Sequence, residues 1–398
     1  MLKRPQWPKK RWNIGLMKNK AKLVLPEMVT IDEKERGYWV AVVESLGLGP
    51  KNFFTLYKAF GSAKTIWQVN EQKLRDLKIA KSVIAGLKKR KKQISPSEHL
   101  KVLAKMGVRV VCVIDEEYPK LLKEIESPPP VLFVKGKLTA EDNVAIAVVG
   151  TRTPSSYGKE MTRRMVEGLV ANGFTIVSGL AYGIDGVAHT AALEAGGRTI
   201  AFLGGGIDQP SPGGHRGLAE RISRHGAVIA EFAPGQPVLR GNFPARNRLI
   251  SGMSLGVLVT EGAGKSGTKL TAEHAFSQGR YVFAVPGQVT NPMSEAPLSL
   301  VKRGGKLVTG VDDIINEISN DKLQIANKIQ ISKSKIQTVK FDNKEEEKLY
   351  ELLSEGEKSF DELVGLSGLD VSQVAKTLTM LEMKMVVRDV GGKIYCIV

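Results

Sequence analysis

The chain has almost no cysteine: Cys112 and Cys396 are the two among its 398 residues. They lack metal-ligand spacing, and two thiols cannot form the framework that staples small secreted domains, so the pattern points to a reducing cytosol. Histidine is scarce as well, with five residues in all and no sequence grouping that assigns catalysis. No apolar run is long enough for a transmembrane span. Residues 1–28 have no apolar core of the length a signal peptide needs. Acidic residues are the minority among the charges: 41 Asp and Glu stand against 58 Lys and Arg, a formal net charge of +17. Such an excess says little about fold but favours a polyanionic partner.

A chain of this length holds two or three domains. Residues 1–30 form a basic tail in which eight cations, from Lys3 to Lys22, face only Glu27. The tail reads as a disordered nucleic-acid arm or as a product of start-site choice, with Met28 as the true start. Residues 31–97 read as a helical domain. Helical patterns at 37–45 and 51–60 flank Leu46, Gly47, Leu48, Gly49 and Pro50, and Ser62 caps a helix over 63–69. Two helices joined by Gly-x-Gly form a helix-hairpin-helix (SAM-like) arrangement, whose free amides can hold a phosphate without reading sequence. A second hairpin near 77–87 lacks its glycine, so a purely structural helical domain is an equal reading. The basic run at 88–92 is a solvated helix end or a phosphate contact.

From residue 98 to 318 strands alternate with helices. Apolar runs at 108–114, 131–134, 144–149, 175–178, 199–203, 227–230, 255–260 and 281–284 enclose helical patterns at 159–171, 186–195 and 218–225. That alternation predicts a doubly wound α/β sheet, whose ligands bind beyond the carboxyl ends of the strands. Small and charged residues fall there repeatedly: Gly150, Thr151 and Arg152; Ser178 and Gly179, then Gly183 and Asp185; and Gly204, Gly205 and Gly206. Asp185 and His189, four apart, could share a helical face as an acid–base pair, or serve as a cap and a packed polar residue. Residues 319–343 form a polar linker. Residues 344–398 hold three helical patterns, at 345–354, 359–367 and 372–381, and a hairpin around Gly391 and Gly392, which together predict a winged helix. Its third helix offers only Lys376 and Lys384 as cations, too few for reading a major groove, which favours a protein contact.

The central stretch is 239–273. Arg240, Phe243, Arg246, Asn247 and Arg248 lie within nine residues, and guanidiniums beside an aromatic ring suit phosphates and stacked bases. Then come a buried strand, a glycine turn with Lys265, Ser266 and Gly267, and a helix over 270–277. Strand, turn and helix leave free backbone N–H groups for an anion. Read blandly, the arginines confer solubility and the Gly-Thr pair is an ordinary cap.

These residues resemble the DprA/Smf family of DNA-processing proteins of natural transformation. The resemblance covers most of 35–398 and rests on YPKLLKEIESPPPVLFVKG (118–136), VGTRTPSSYG (149–158), SGLAYGIDGVAHTAAL (178–193), GNFPARNRLISGMS (241–254), SGTKLTAEHAFSQGR (266–280) and AVPG (284–287). It implies an extended Rossmann-like domain between a helical N-terminal domain and a winged helix, binding of single-stranded DNA, a homodimer, and loading of the RecA recombinase onto strands coated by SSB, without catalysis, cofactor, metal or membrane. By position it implies Arg152 on phosphate, Arg240 at the pocket's basic rim, Phe243 under a base, and Gly150, Ser178, Gly179, Arg246, Asn247, Arg248, Lys265, Ser266 and Gly267 in the pocket turns and signature. Thr151 stands where the family usually has Ser, Tyr182 where it commonly has a cation or small residue, and 296–301 departs from its Gly-x-Asn-x-Leu-Ile segment. The dimer is expected near 298–315, where Leu298, Leu300, Val301, Leu307 and Val308 are apolar; these residues could instead only close the sheet.

Two enzymatic readings compete. GAGKS looks like half of a Walker A loop, but the distal Gly is replaced by Val259. A nucleotide-binding N-glycoside hydrolase of the lysine-decarboxylase-like group would need a Glu where Thr271 stands; Glu273 comes two residues late, on another helical face.

Overall fold

The computed structural model describes residues 31–45, 49–264, 266–320, 341–354, 356, 358–384, 386–389 and 391–397. Those before 321 and those after 340 belong to two separate units. The first unit begins with six helices: α1 (Glu33–Val43), α2 (Pro50–Phe60), α3 (Ala63–Gln68), α4 (Glu71–Asp76), α5 (Lys81–Gln93) and α6 (Pro96–Lys105). Proline opens α2 and α6, where its missing N–H costs nothing. Ser62 caps α3 by accepting from Thr65 N at 3.1 Å. Trp39, Phe53, Leu56 and Ile66 are fully buried between these helices. The hairpin at 46–48 and the tail at 1–30 lie outside the described residues. In the basic run, Lys88 pairs with Glu71 at 2.7 Å, Arg90 with buried Glu44, and Lys91 donates to Val69 O at 3.1 Å. Those three cations are therefore engaged with the helical segment itself.

Helices α7 (Lys120–Lys123), α8 (Ser156–Ala171), α9 (Ile184–Glu194), α10 (Arg216–His225), α11 (Asn242–Met253), α12 (Gly267–Ser277), α13 (Glu295–Lys302) and α14 (Val311–Asn320) alternate with nine strands. The strands are β1 (Arg109–Cys112), β2 (Val131–Gly136), β3 (Ala145–Val149), β4 (Thr175–Ser178), β5 (Thr199–Gly206), β6 (Ala227–Phe232), β7 (Gly256–Val259), β8 (Tyr281–Ala284) and β9 (Lys306–Leu307). Among the described residues they form one sheet in the order β1-β2-β6-β5-β4-β3-β7-β8-β9. From β6 to β9 all pairs are parallel, and β1 and β2 extend the sheet antiparallel. The expected doubly wound sheet is present. Its central strands are buried along their whole length, as parallel strands covered on both faces must be.

The chain enters the sheet's parallel part at β3, steps outward through β4, β5 and β6, then crosses back to β7 beside β3. The strand order therefore reverses between β3 and β7, where open sheets of this kind form a crevice. Helices α8, α9 and α10 pack side by side, and α11 packs on α12.

Two expectations need correction. Arg240, expected at a strand end, lies eight residues past β6, on the approach to helix α11, which holds the rest of the arginine cluster. Gly204, Gly205 and Gly206 are not a turn after β5 but its last residues, with Gly206 pairing to Phe232 beyond a bulge. Lacking Cβ atoms, they let the chain returning towards α11 pack directly on the strand: a Cβ on Gly205 would lie 2.6 Å from Val238 Cγ2.

The second unit has α15 (Lys344–Ser354), α16 (Phe360–Ser367) and α17 (Val371–Met383), with β10 (Lys358–Ser359), β11 (Val387–Asp389) and β12 (Ile394–Ile397) in the order β10-β12-β11. Leu349, Leu363, Val374, Leu378 and Leu381 form its core, and the arrangement is the expected winged helix. Lys384 is bound by Glu346 at 2.6 Å and Asp342 at 2.8 Å, so one of the two cations counted from the sequence is spent inside the unit. Val371 and Met383 are exposed instead.

Candidate nucleic-acid interface

A cavity of about 240 Å³ opens at the switch point. Four segments build it: Gly150, Thr151 and Arg152 after β3; Ala181 and Asp185 after β4; Phe243, Arg246, Asn247 and Ile250 on α11; and Ser266, Gly267, Thr268 and Thr271 at the start of α12. Helical periodicity explains the α11 set, since residues 243, 246, 247 and 250 fall on one face. The same periodicity turns Arg248 away. Its guanidinium binds both carboxylate oxygens of Glu231 at 2.6 Å and the Ser127 carbonyl at 2.5 Å.

Arg246 reaches the cavity but is only 4% exposed. Its Nη1 donates to Phe202 O at 3.1 Å, and it lies against the turn after β4, where a Cβ on Gly179 would sit 1.5 Å from Nη1. Asp185, 7% exposed, accepts from Gly179 N at 3.1 Å and Ala181 N at 3.4 Å. Burial pushes its carboxyl pKa up, against the pull of Arg246 and these amides. Burial likewise pulls the Arg246 guanidinium pKa down. The two buried charges attract each other at the cavity floor, though no direct ion pair joins them. Ser178 is fully buried and donates to Val148 O at 2.7 Å. Ser178 and Gly179 therefore shape the floor and do not line the cavity.

Asp185 and His189 do not act as an acid–base pair. His189 Nδ1 donates to Thr199 Oγ1 at 2.7 Å, because that hydroxyl already donates to Ile176 O at 2.9 Å. Burial drives the imidazole pKa down to about 3, with the charges of His215 and Arg246 adding to it. The packed-polar reading describes the pair; Asp185 does not cap α9, whose N-cap is Gly183, but binds two amides of the preceding turn.

Arg152 and Phe243 are the parts open to solvent. Arg152 is exposed and its Cζ lies 5.5 Å from the Phe243 ring centroid; Arg246 Cζ lies 6.0 Å away on the inner side. The half-buried ring rests on β5, where a Cβ on Gly204 would come within 3.1 Å of it. The start of α12 contributes its unpaired amide end, and Ser266 Oγ is buried with no hydrogen-bond partner among the described residues. Asn247 Nδ2 donates to Gly267 O at 3.3 Å, tying α11 to that end. Arg240 is exposed on the approach to α11 and outside the cavity lining. Lys265 lies outside the described residues. Thr268 and Thr271, missed from sequence, lie one helical turn apart on the α12 face that meets the cavity; their spacing after Ser266 was the available signal.

The glycine turn before α12 is no phosphate cradle. Gly262 N donates to Met293 O at 2.7 Å and Gly264 N to Glu295 Oε2 at 3.3 Å, so both amides are already engaged and neither is free for a phosphate. Glu261 is also spent: buried, it accepts from Ser155 N at 2.9 Å and Ser155 Oγ at 2.5 Å, at the start of α8. Glu273 pairs with Arg303 at 3.0 Å, away from the cavity. Among the described residues lining the cavity, Asp185 is the one carboxylate. In the expected dimer segment, Leu300 and Val308 are fully buried in the core, while Leu307 on edge strand β9 is 42% exposed.

Fold and cavity together define a doubly wound α/β protein with a cationic, aromatic-walled crevice at its switch point. A family model described as DNA recombination-mediator protein A matches residues 109–319, and one described as the DprA winged helix domain matches 338–393. The DNA processing protein DprA of Bacillus subtilis (strain 168) is 38% identical over 243 residues, 60% of this chain and 82% of that one. DprA of Streptococcus pneumoniae (strain ATCC BAA-255 / R6) is 42% identical over 205 residues, 52% of this chain and 72% of that one. The X-ray structure of DNA processing protein A from Streptococcus pneumoniae matches with a TM-score of 0.64 at 33% identity, covering 73% of this chain and 99% of that chain. The chain belongs to the DNA recombination-mediator protein A family, the DprA/Smf proteins. No helix among its described residues is long and apolar enough to cross a membrane.

Proposed function

We propose that this protein binds single-stranded DNA at the switch-point cavity with little sequence preference, as a recombination mediator and not as a catalyst. The observation that carries the reading is the pairing of exposed Arg152 with the half-exposed ring of Phe243 at the mouth of a cavity walled by the start of α12. A guanidinium and helix-end amides take phosphates, and an aromatic face takes a base whatever its identity. In a duplex, each base is stacked and paired and offers Phe243 no free face. Hydrolysis of an N-glycosidic bond finds no support: Thr271 occupies the cavity where that chemistry needs a carboxylate, and Asp185 is held in the floor by two amides. The family's description as a DNA recombination mediator is compatible with a recombinase partner; that this partner is of RecA type and acts on strands coated by SSB is our proposal. A homodimer through edge strand β9, with exposed Leu307 at its contact, is the assembly we propose.

The test is fluorescence anisotropy with labelled single-stranded and duplex DNA across salt. Affinity for the single strand should exceed that for the duplex and fall as salt rises, because bound cations release counterions. Arg152→Ala should weaken binding about tenfold to a hundredfold, the worth of a charge-assisted contact. Equal, salt-independent affinity for both DNA forms would sink the reading.

A further inference from the structure

A second and larger cavity, about 850 Å³, adjoins the first, and Arg152 lines both. It runs as a groove between α8, α9 and α10. Its cations are Arg152, Lys159 and Arg163 from the β3–α8 side and Arg221 from α10; Glu194 is the one carboxylate among its lining residues. The spacing is helical: 159 and 163 are four apart on α8, and 217, 218 and 221 share a face of α10. All four cations are exposed. Arg163 has an ion pair with its own-helix neighbour Glu160 at 3.3 Å, both of them solvent-facing and readily exchanged. Among the described residues no carboxylate lies within ion-pair distance of Lys159 or Arg221.

The groove also has an aromatic wall. Tyr182 is 51% exposed, and its ring stands edge-on to His215, with centroids 4.9 Å apart and planes at 75°. His215 is fixed by donating Nδ1–H to Leu180 O at 2.9 Å. Gly186 makes room for it, since a Cβ there would lie 2.7 Å from the imidazole Cε1. A large aromatic side chain is thus braced in the wall of a cationic groove, in continuity with the Arg152–Phe243 mouth. Exposed cations in helical register beside a supported ring repeat the pattern of the first cavity.

We propose that the groove between α8, α9 and α10 carries the continuation of the same single nucleic-acid strand, with Lys159, Arg163 and Arg221 on its phosphates and Tyr182 under one of its bases. This rests on the reading of the first cavity as a single-strand site. Each neutralised phosphate on a single strand steepens the dependence of log K on log salt by about 0.7, so the three groove cations add about 2 to the slope for any strand long enough to reach them.

The experiment compares oligonucleotides of about four and about twenty nucleotides, at the short end of and beyond the roughly 4–16 nucleotide site sizes of such binders, on the full chain and on a K159A/R163A/R221A variant. On the native chain the long strand should show a salt slope steeper by about 2 than the short one, and in the triple variant that difference should vanish. Tyr182→Ala should lower long-strand affinity about fivefold or more with the slope unchanged. Melting temperatures of the variants serve as the folding control, since these side chains lie on the surface. A slope difference that survives in the triple variant overturns the proposal and leaves the first cavity's reading intact. Failure of the native chain to bind either strand overturns both.

Discussion

Replacing Arg246 by methionine should cost folding stability and not a ligand contact, and the cost follows from its attraction to buried Asp185 and its hydrogen bond to Phe202 O. Both residues lie almost wholly out of water, Arg246 at 4% and Asp185 at 7% exposure. Methionine fills much of the same space but leaves the Asp185 carboxylate with the Gly179 and Ala181 amides and the neighbouring Ser178 hydroxyl, and no cation. Removing one partner of a direct buried ion pair costs about 3–5 kcal/mol, an upper bound here because the two charges attract each other without direct contact. The retained hydrogen bonds, the carboxyl's ability to protonate and the lack of direct contact place this case at or below about 3 kcal/mol, a fall of up to roughly 5 °C in melting temperature for a unit of this size. The sign with pH is fixed by the raised pKa of Asp185. Without the guanidinium that pKa rises further, so the deficit should shrink as pH falls from about 7.5 towards 5, by up to about 1.4 kcal/mol per unit. Asp185→Asn in the same background should restore most of the loss. Thermal unfolding of the single and double variants at both pH values, with DNA affinity measured on the same samples, provides the assay. A melting temperature within about two degrees of native together with lost DNA binding would refute the reasoning, because it would put the guanidinium on the ligand.

Phe243→Ala should lower single-strand affinity at every salt concentration, by the ~1–3 kcal/mol of one stacked base, with little change in salt slope; a loss of melting stability on the ~3–5 kcal/mol scale of a core phenylalanine would remove Phe243 from the site. His189 stays neutral in the fold down to about pH 3, whereas an unfolded histidine protonates below about pH 6.5. Its contribution is therefore complete above that pH and lost on acidification by up to about 1.4 kcal/mol per unit. His189→Asn should flatten the fall of melting temperature between about pH 6.5 and 5, and parallel pH profiles would contradict this. Leu307→Lys should shift the sedimentation of the chain from dimer to monomer at tens of micromolar, roughly the range where such contacts are populated; a native chain already monomeric there would remove β9 as a dimer contact.

Most of the sheet was legible in the sequence because its strands are buried on both faces and read as unbroken Val/Ile/Leu runs, as at 144–149 and 255–260. The positions of the strand-end turns were legible for the same reason, and they led to Gly150 and Arg152. The winged helix could be read from three periodic segments and a Gly-Gly hairpin. Composition alone favoured a polyanionic partner.

What the linear pattern could not decide is which member of a charged cluster meets solvent. Arg240, Arg246 and Arg248 stand together in sequence, but Arg240 precedes α11, and the helix winds Arg246 and Arg248 onto different faces. Arg248 meets Glu231, 17 residues earlier in the chain, and Arg246 meets the backbone of β5, 44 residues away. Those partners exist only once the strands are side by side. The need for Gly179 has the same origin: the space its missing side chain leaves is filled by a guanidinium from the opposite side of the crossover. The groove reaching past Arg152 also arises from packing, since α8, α9 and α10 bring Lys159, Arg163, Tyr182 and Arg221 to one surface from segments with no common motif. Sequence determined the elements through their periodicity and burial, which are local. Tertiary structure decided which charges are spent and which remain open, because that depends on contacts between segments far apart in the chain.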